Sequence, residues 1–297
     1  FPTRRSSDLI KIVSTVSLET LLRLAKAERP DGTGAVPDIF SLRRLDLFSY
    51  NEFLSFTHKP AGEQAVNEFL SRGAFPGLIK TGHTEALHQL YTEILCKDAV
   101  IAGGIRDRNT LQRMALHLIT NTGEPVTANK LREKLKIKAV STAAEHMQCI
   151  ETAGLVRFVS ILSDNPARQA VNPRKVYAVD TALAAAVSTA ETVDRNKLFE
   201  TMLFNHLCRE SRSVCYTNEQ GGCDFIASDA EGGVRCIQAC YDDDPDLMQT
   251  KTDGLLWALR QTGSSRGTIV TADRNDRIDA ENFEIEVIDA DTFLGGY

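Results

Sequence analysis

The chain has 297 residues, 42% hydrophobic and 25% charged, an ordinary balance for a globular protein with room for two domains or three small ones. Its 40 acidic and 34 basic side chains leave a net charge of −6, which argues against a chain that coats nucleic acid, because non-specific affinity comes from an excess of Lys and Arg on phosphates. No apolar run nears the roughly 20 residues of a membrane-spanning helix, and no signal-peptide pattern opens the chain. Seven cysteines, at 96, 149, 208, 215, 223, 236 and 240, form no Cys-x-x-Cys pair and have no matching pair of histidines, so zinc has little support. Their scatter through apolar segments fits buried free thiols in a reducing cytoplasm.

Residues 1–9, Phe1-Pro2-Thr3-Arg4-Arg5-Ser6-Ser7-Asp8-Leu9, resemble the conceptual translation of a short-read sequencing adapter. Arg4 and Arg5 are therefore not read as a targeting motif, and the natural N-terminus is expected upstream. Residues 10–16 read as a short buried strand, followed by a helix through Leu18, Leu21, Leu22 and Leu24. Residues 29–34, with their Pro and Gly, form a turn, and residues 39–47 a mixed apolar and basic segment. Ser49 or Asn51 caps a short helix bearing Phe53, Leu54 and Phe56. Residues 65–70 are helical and stop at Gly73-Ala74-Phe75-Pro76-Gly77. Residues 85–99 form a longer amphipathic helix with Leu87, Leu90, Tyr91, Ile94 and Leu95 on its apolar face.

From 109 to 181 the pattern changes. Helices are predicted over 111–119, from a Thr127 cap through Leu131 and Leu135, and over 141–152; two strands follow, over 155–162 and 175–179. Three helices and a two-stranded wing predict a winged-helix module. Its third helix would read DNA bases, yet it carries Glu145 and Glu151 and no Lys or Arg. The basic residues Lys130, Arg132, Lys134, Lys136 and Lys138 lie one helix earlier, where they are either a solvated face or a set of phosphate contacts. A non-catalytic DNA-binding module thus stands as an alternative function.

Residues 182–194 read as an alanine-rich helix running into a linker. Beyond it come a helix over 197–209, strands over 214–217, 224–227 and 234–240, a helix over 247–260, and strands over 268–271 and 283–288. That order predicts a mixed α/β sandwich. The acidic loop Asp242-Asp243-Asp244-Pro245-Asp246 reads as a solvated turn rather than a metal site.

Within this last domain Glu200 lies in a helix, Asp224 opens a strand, and Gln238 and Cys240 lie in the next strand. Helix Glu, strand Asp and strand Gln-x-Cys in that order resemble the PD-(D/E)XK nuclease core. Such a core holds a divalent cation on acidic oxygens and uses a lysine to orient and deprotonate water. Here Glu200 and Asp224 are the acids, Gln238 offers a neutral amide oxygen, and Cys240, a neutral thiol near pH 7, stands where the lysine is needed. The expectation is a degenerate site at Glu200, Asp224, Gln238 and Cys240, with no catalytic and no metal-ligating residue, the two acids making local hydrogen bonds. A metal-dependent nuclease using Glu200, Asp224 and Gln238 is the second alternative.

Over nearly the whole chain, ordered fragments resemble bacterial and archaeal AAA-type ATPases that end in a nuclease-like domain of unknown function. They are Thr15-Val16-Ser17, Leu47-Phe48-Ser49-Tyr50-Asn51-Glu52-Phe53-Leu54, Gly73-Ala74-Phe75-Pro76, Lys97-Asp98, Val176-Tyr177-Ala178-Val179-Asp180, Leu198-Phe199-Glu200, Asp224-Phe225 and Ile237-Gln238-Ala239-Cys240-Tyr241. The resemblance implies an α/β chain in which residues 10–108 are the C-terminal remnant of a P-loop-type ATPase domain with a helical lid, 109–181 a winged-helix module and 195–297 a PD-(D/E)XK-like domain. It also implies a sensor-like role for Thr15 and Ser17 beside an ATP γ-phosphate; capping of the following helix is the other meaning of this pair. Val16 replaces the family's glycine at that turn, and no arginine lies in residues 32–35, although Arg43 and Arg44 are near. No Gly-x-x-x-x-Gly-Lys-Ser/Thr loop is present in the 297 residues. The implied protein is a cytoplasmic ATP-binding protein. ATP and Mg²⁺ belong to the intact protein, which would assemble through its ATPase domain, while this fragment is inactive and serves coupling or recognition of a protein partner.

Overall fold

Ser49 begins the first helix by closing a capping box. Its hydroxyl accepts the Glu52 N–H at 3.2 Å while the Glu52 carboxylate accepts the Ser49 N–H at 2.7 Å. The computed structural model describes residues 45–297 apart from 83, 102–104, 106, 164, 166–171, 189–193, 220, 243, 281 and 297, and only the backbone of 98–101. The strand, helix and loop expected before residue 45, with Thr15, Ser17, Arg43 and Arg44, lie outside the described residues.

Four helices open the described chain: α1 (Tyr50–Thr57), α2 (Glu63–Arg72), α3 (Pro76–Ile79) and α4 (Thr84–Glu93). The last continues as a π-helix over Ile94–Ile101, where the sequence predicts one α-helix to residue 99. An apolar spacing of three and four residues signals a helix but does not distinguish the wider winding.

Then follow α5 (Arg108–Thr120), β1 (Pro125–Val126), α6 (Ala128–Leu135), α7 (Val140–Thr152), β2 (Val156–Ser160) and β3 (Arg174–Ala178). Thr127 caps α6 as expected, its hydroxyl accepting the Lys130 N–H at 3.1 Å. The three strands form an antiparallel sheet in the order β1-β3-β2. The two-residue β1 is too short to register as a period. Glu151 of α7 accepts the Phe158 N–H at 3.1 Å and is half-buried, which leaves Glu145 as the exposed acid of that helix.

A short helix, α8 (Thr181–Val187), precedes α9 (Arg195–Glu210), and a second sheet follows: β4 (Ser213–Cys215), β5 (Phe225–Ser228), β6 (Val234–Cys240), α10 (Pro245–Thr262), β7 (Arg266–Thr271), β8 (Asp276–Ala280), β9 (Phe283–Asp289) and α11 (Ala290–Gly295). The six strands lie in the order β4-β5-β6-β7-β9-β8, with β6, β7 and β9 parallel and the other neighbours antiparallel. Strand β8 and helix α11 are additions to the predicted elements. Asp276-Arg277-Ile278-Asp279-Ala280 offers one large apolar residue, as suits an edge strand.

Alternation along the strands fills two cores. In β6, Ile237 and Ala239 face one cluster, while Cys236 and Cys240 face the other, under α10, with Leu255, Leu259 and Ile285. The first cluster does not stop at the expected domain borders: it runs from Tyr50 and Phe53 through Leu111 and Tyr177 to Phe199 and Phe225. Residues 46–297 accordingly form one compact unit, and the predicted divisions near 108 and 181–195 do not separate independent cores. Helix α9 accounts for the fusion. Residues 198–204 are all buried, so it is enclosed on every side.

Asp180 adds a polar tie within this unit. It caps α8 through the Leu183 N–H at 2.7 Å and accepts the Ala74 N–H at 2.6 Å, joining two of the family-like fragments. Burial raises its pKa to about 6, with backbone N–H groups of Ala74, Leu183 and Ala182 pulling the other way. A raised carboxylate pKa stabilises the fold at low pH and loses that contribution as pH rises through about 6. Asp180→Ala is therefore expected to cost more at pH 4 than at pH 7.5, by about 2–3 kcal/mol, in urea unfolding. Equal costs at the two pH values would contradict the shift.

Among the described residues no helix is long and apolar enough to cross a membrane, and all seven cysteines are free thiols.

A candidate site built on ion-paired carboxylates

Glu200 projects from the second turn of α9, and Asp224 immediately precedes β5, so helix and strand bring the two predicted acids together. Between them sits the ammonium of Lys175, from β3 of the other sheet. Its Nζ lies 2.8 Å from Glu200 Oε1 and 3.1 Å from Asp224 Oδ1. A second ammonium, Lys251 of α10, pairs with Asp224 Oδ2, which also accepts the Ala239 N–H at 3.1 Å. Tyr177, two residues along β3 from Lys175 and on the same face, donates to Glu200 Oε1 at 2.6 Å. Lys197 stands 3.9 Å from Glu200 Oε2 and 3.2 Å from Glu124.

All four principal side chains are nearly withdrawn from solvent, with 13% exposure for Lys175, 7% for Glu200, 9% for Asp224 and 18% for Lys251. Burial favours the uncharged forms, but the neighbouring charges prevail. Burial lowers the Lys175 pKa, yet Glu200 and Asp224 raise it further, for a net upward shift; Lys251 moves up for the same reason. Burial raises the Asp224 pKa, and Lys251 and Lys175 together hold it well below the usual carboxylate range. Tyr177 stays a neutral donor, raised first by burial and then by Glu200. Its ring stacks on Phe204 at 4.2 Å between centroids.

The Gln238 side chain, an oxygen ligand only in the nuclease alternative, is engaged by the backbone. Its oxygen accepts the Asp224 N–H at 3.0 Å, while Nε2 donates to Gly222 O at 2.7 Å and Lys251 O at 3.0 Å. It is a cross-brace that fixes Asp224 and the α10 backbone. Cys240 lies in the core beneath α10, its Sγ donating to Asp242 O at 3.5 Å; burial pushes its thiol up, with the Lys251 ammonium opposing. Cys240 supplies no cation to the acids; β3 and α10 each deliver one instead, Lys175 and Lys251.

The described aspartates of the acidic segment after β6 are exposed, as a solvated turn requires, and Asp242 and Asp244 also make hydrogen bonds. Asp244 caps α10 through the Asp246 N–H at 2.9 Å, and Asp242 pairs with the Asn196 side chain. Among the described residues no three His, Cys, Asp or Glu side chains gather as a metal-holding group.

Lys251 was detectable in the sequence. It precedes the buried Leu255 by one helical turn and so places a charge on the apolar side of α10, which is uncommon unless paired. Lys175 carried a weaker signal, as the alternate neighbour of Tyr177 in a buried strand. Both carboxylates already bind hydrogen-bonded cations, so the arrangement acts chemically as a closed ion-pair network.

Residues 63–194 match the model of a family described as a domain of unknown function, DUF8612. The match runs from the start of α2 to the residue before α9, so it takes in Lys175, Tyr177 and Asp180 and stops short of Glu200, Asp224 and Lys251. No curated protein and no solved structure matches the chain.

Proposed function

We propose that this chain is the C-terminal part of an AAA-type ATP-binding protein, in which a winged-helix module and a PD-(D/E)XK-like domain form one non-catalytic body for coupling or partner recognition. The single observation that carries the non-catalytic reading is the Lys175 ammonium, 2.8 Å and 3.1 Å from the two acids that would otherwise hold metal. The order α5-β1-α6-α7-β2-β3 supports the winged-helix assignment, and α9-β4-β5-β6-α10-β7 with Asp224 at the head of β5 supports the nuclease-like one. ATP and Mg²⁺ enter through a nucleotide-binding domain whose phosphate-binding part is encoded upstream and whose C-terminal remnant, in this chain, would contribute Thr15 and Ser17 as sensor-like residues. In this reading the chain leaves supercoiled plasmid intact in Mg²⁺ or Mn²⁺, and the upstream reading frame encodes a phosphate-binding loop. Nicking that disappears in Asp224→Ala would refute the first part, and a frame without that loop the second.

Lys251 favours a second reading, a metal-dependent nuclease. Its ammonium reaches Asp224 from α10 and supplies the cationic role that Cys240 lacks. If that reading holds, plasmid nicking appears with the native chain and is lost in Lys251→Met.

A further inference from the structure

The chain as a whole is acidic, yet residues 128–140 carry five basic side chains and one acid. Arg132 spends its charge on Glu133, at 2.9 Å. Lys130, Lys134, Lys136 and Lys138 are all exposed, and among the described residues no carboxylate pairs with any of them. Exposed cations elsewhere are commonly answered: Lys59 and Arg72 by Glu68, Lys97 by Glu93, Arg209 by Glu52, Arg235 by Glu210 and Arg266 by Glu284.

Two backbone features concentrate the patch. Lys130 and Lys134 are one turn apart on α6 and share a face. Lys136 then ends that helix in the left-handed region, at φ 58° and ψ 41°, a position where glycine is less strained. Helix α7 begins four residues past Lys136. Its N-cap Ala139 provides no side-chain acceptor, so the first N–H groups of α7 are left uncapped beside Lys138. Glu145, exposed one turn further along α7, bars that helix from lying deep against phosphates.

We infer that the corner formed by α6, Lys136, Lys138 and the start of α7 binds the phosphate backbone of duplex DNA, without reading its bases. Four exposed ammonium groups between residues 130 and 138, paired with no carboxylate among the described residues, suit a line of phosphates, and Glu145 keeps α7 out of the groove where base edges are read. This inference rests on the lysines and not on the ATPase reading, so either can fail without the other.

Fluorescence anisotropy with a labelled duplex of 25 base pairs, from 50 to 200 mM salt, tests it on the whole chain. Four phosphate contacts give a slope of log K against log salt of about −3.6, roughly a 100-fold loss of affinity over that range. Each single Lys→Gln change at 130, 134, 136 or 138 reduces the slope by about 0.9, and the quadruple change abolishes salt-dependent binding. Lys136→Gly provides a control against misfolding, since it relieves the left-handed cap and should raise Tm while still weakening binding. A duplex of scrambled sequence binds equally well.

Three results would overturn the inference: native slope retained in the quadruple variant, a preference of more than about tenfold for one duplex sequence, or binding of poly-glutamate where duplex DNA does not bind. The last would make the partner an acidic protein.

Discussion

Lys175→Met is expected to destabilise the chain by about 3–5 kcal/mol, because it removes the shared counter-ion from two buried carboxylates, leaving Asp224 to Lys251 alone and Glu200 with only the Tyr177 hydroxyl and the more distant Lys197. The methionine keeps most of the side-chain volume, so the loss is electrostatic rather than a cavity effect. In the double variant Lys175→Met with Glu200→Gln, one stranded charge is gone, and the combined cost should fall short of the sum of the two single costs by about 1–3 kcal/mol. Urea unfolding at pH 7.5 measures all three. A cost below about 1 kcal/mol for Lys175→Met would place the pair among exposed salt bridges and contradict the burial.

The pH profile of this cost has a definite sign. Asp224 is held low, so its contribution is complete above the ordinary carboxylate pKa and fades as pH falls below about 4. Lys175 is raised, so its contribution is complete below the ordinary lysine pKa and fades as pH rises beyond about 10.4. The difference between native and variant chains should therefore be flat from about pH 5 to pH 10 and shrink outside those limits.

The second large effect is expected at Gly254, buried within α10. A Cβ there would come far inside contact distance of the Gly222 carbonyl oxygen and 3.1 Å from Gln238 Nε2. The obstacle is backbone, not the movable end of a side chain, so α10 must move away from the strands. Gly254→Ala is expected to cost about 2–4 kcal/mol despite the better helix propensity of alanine, since overpacking typically costs 1–3 kcal/mol and here backbone must yield. Displacing α10 also withdraws Lys251 from Asp224 and strains the Gln238 brace, so the loss should be partly electrostatic and smaller at pH 3 than at pH 7. Gly77→Ala, whose added Cβ meets nothing within 4 Å, is the control and should stay within about 0.5 kcal/mol. A similar small change at Gly254 would show that α10 tolerates a wider separation from Gly222.

These two variants also probe how the modules are joined. Lys175 belongs to the three-stranded sheet, Glu200 to the helix enclosed between the sheets and Lys251 to the far side of the six-stranded sheet. One ion-pair network thus spans regions that the sequence divides into separate domains.

The sequence by itself determined the local elements, because their causes are local. Thr127 caps α6 at the predicted residue, β6 occupies the predicted 234–240, and the apolar spacings mark α5, α7 and α10. It also selected Glu200 and Asp224 as a pair. Weak local signals produced the omissions: β1 is two residues long, and β8 is a largely polar edge strand. Only the tertiary structure decided what surrounds the acids. Lys175 and Lys251 lie 49 and 27 residues from Asp224 along the chain, and Gln238 turns its oxygen to the Asp224 backbone N–H. Charge compensation acts through distance in space and through burial, neither of which is encoded in a period of two or 3.6 residues. The shared core followed the same rule, since the enclosure of α9 depends on two sheets that meet only when the chain is folded.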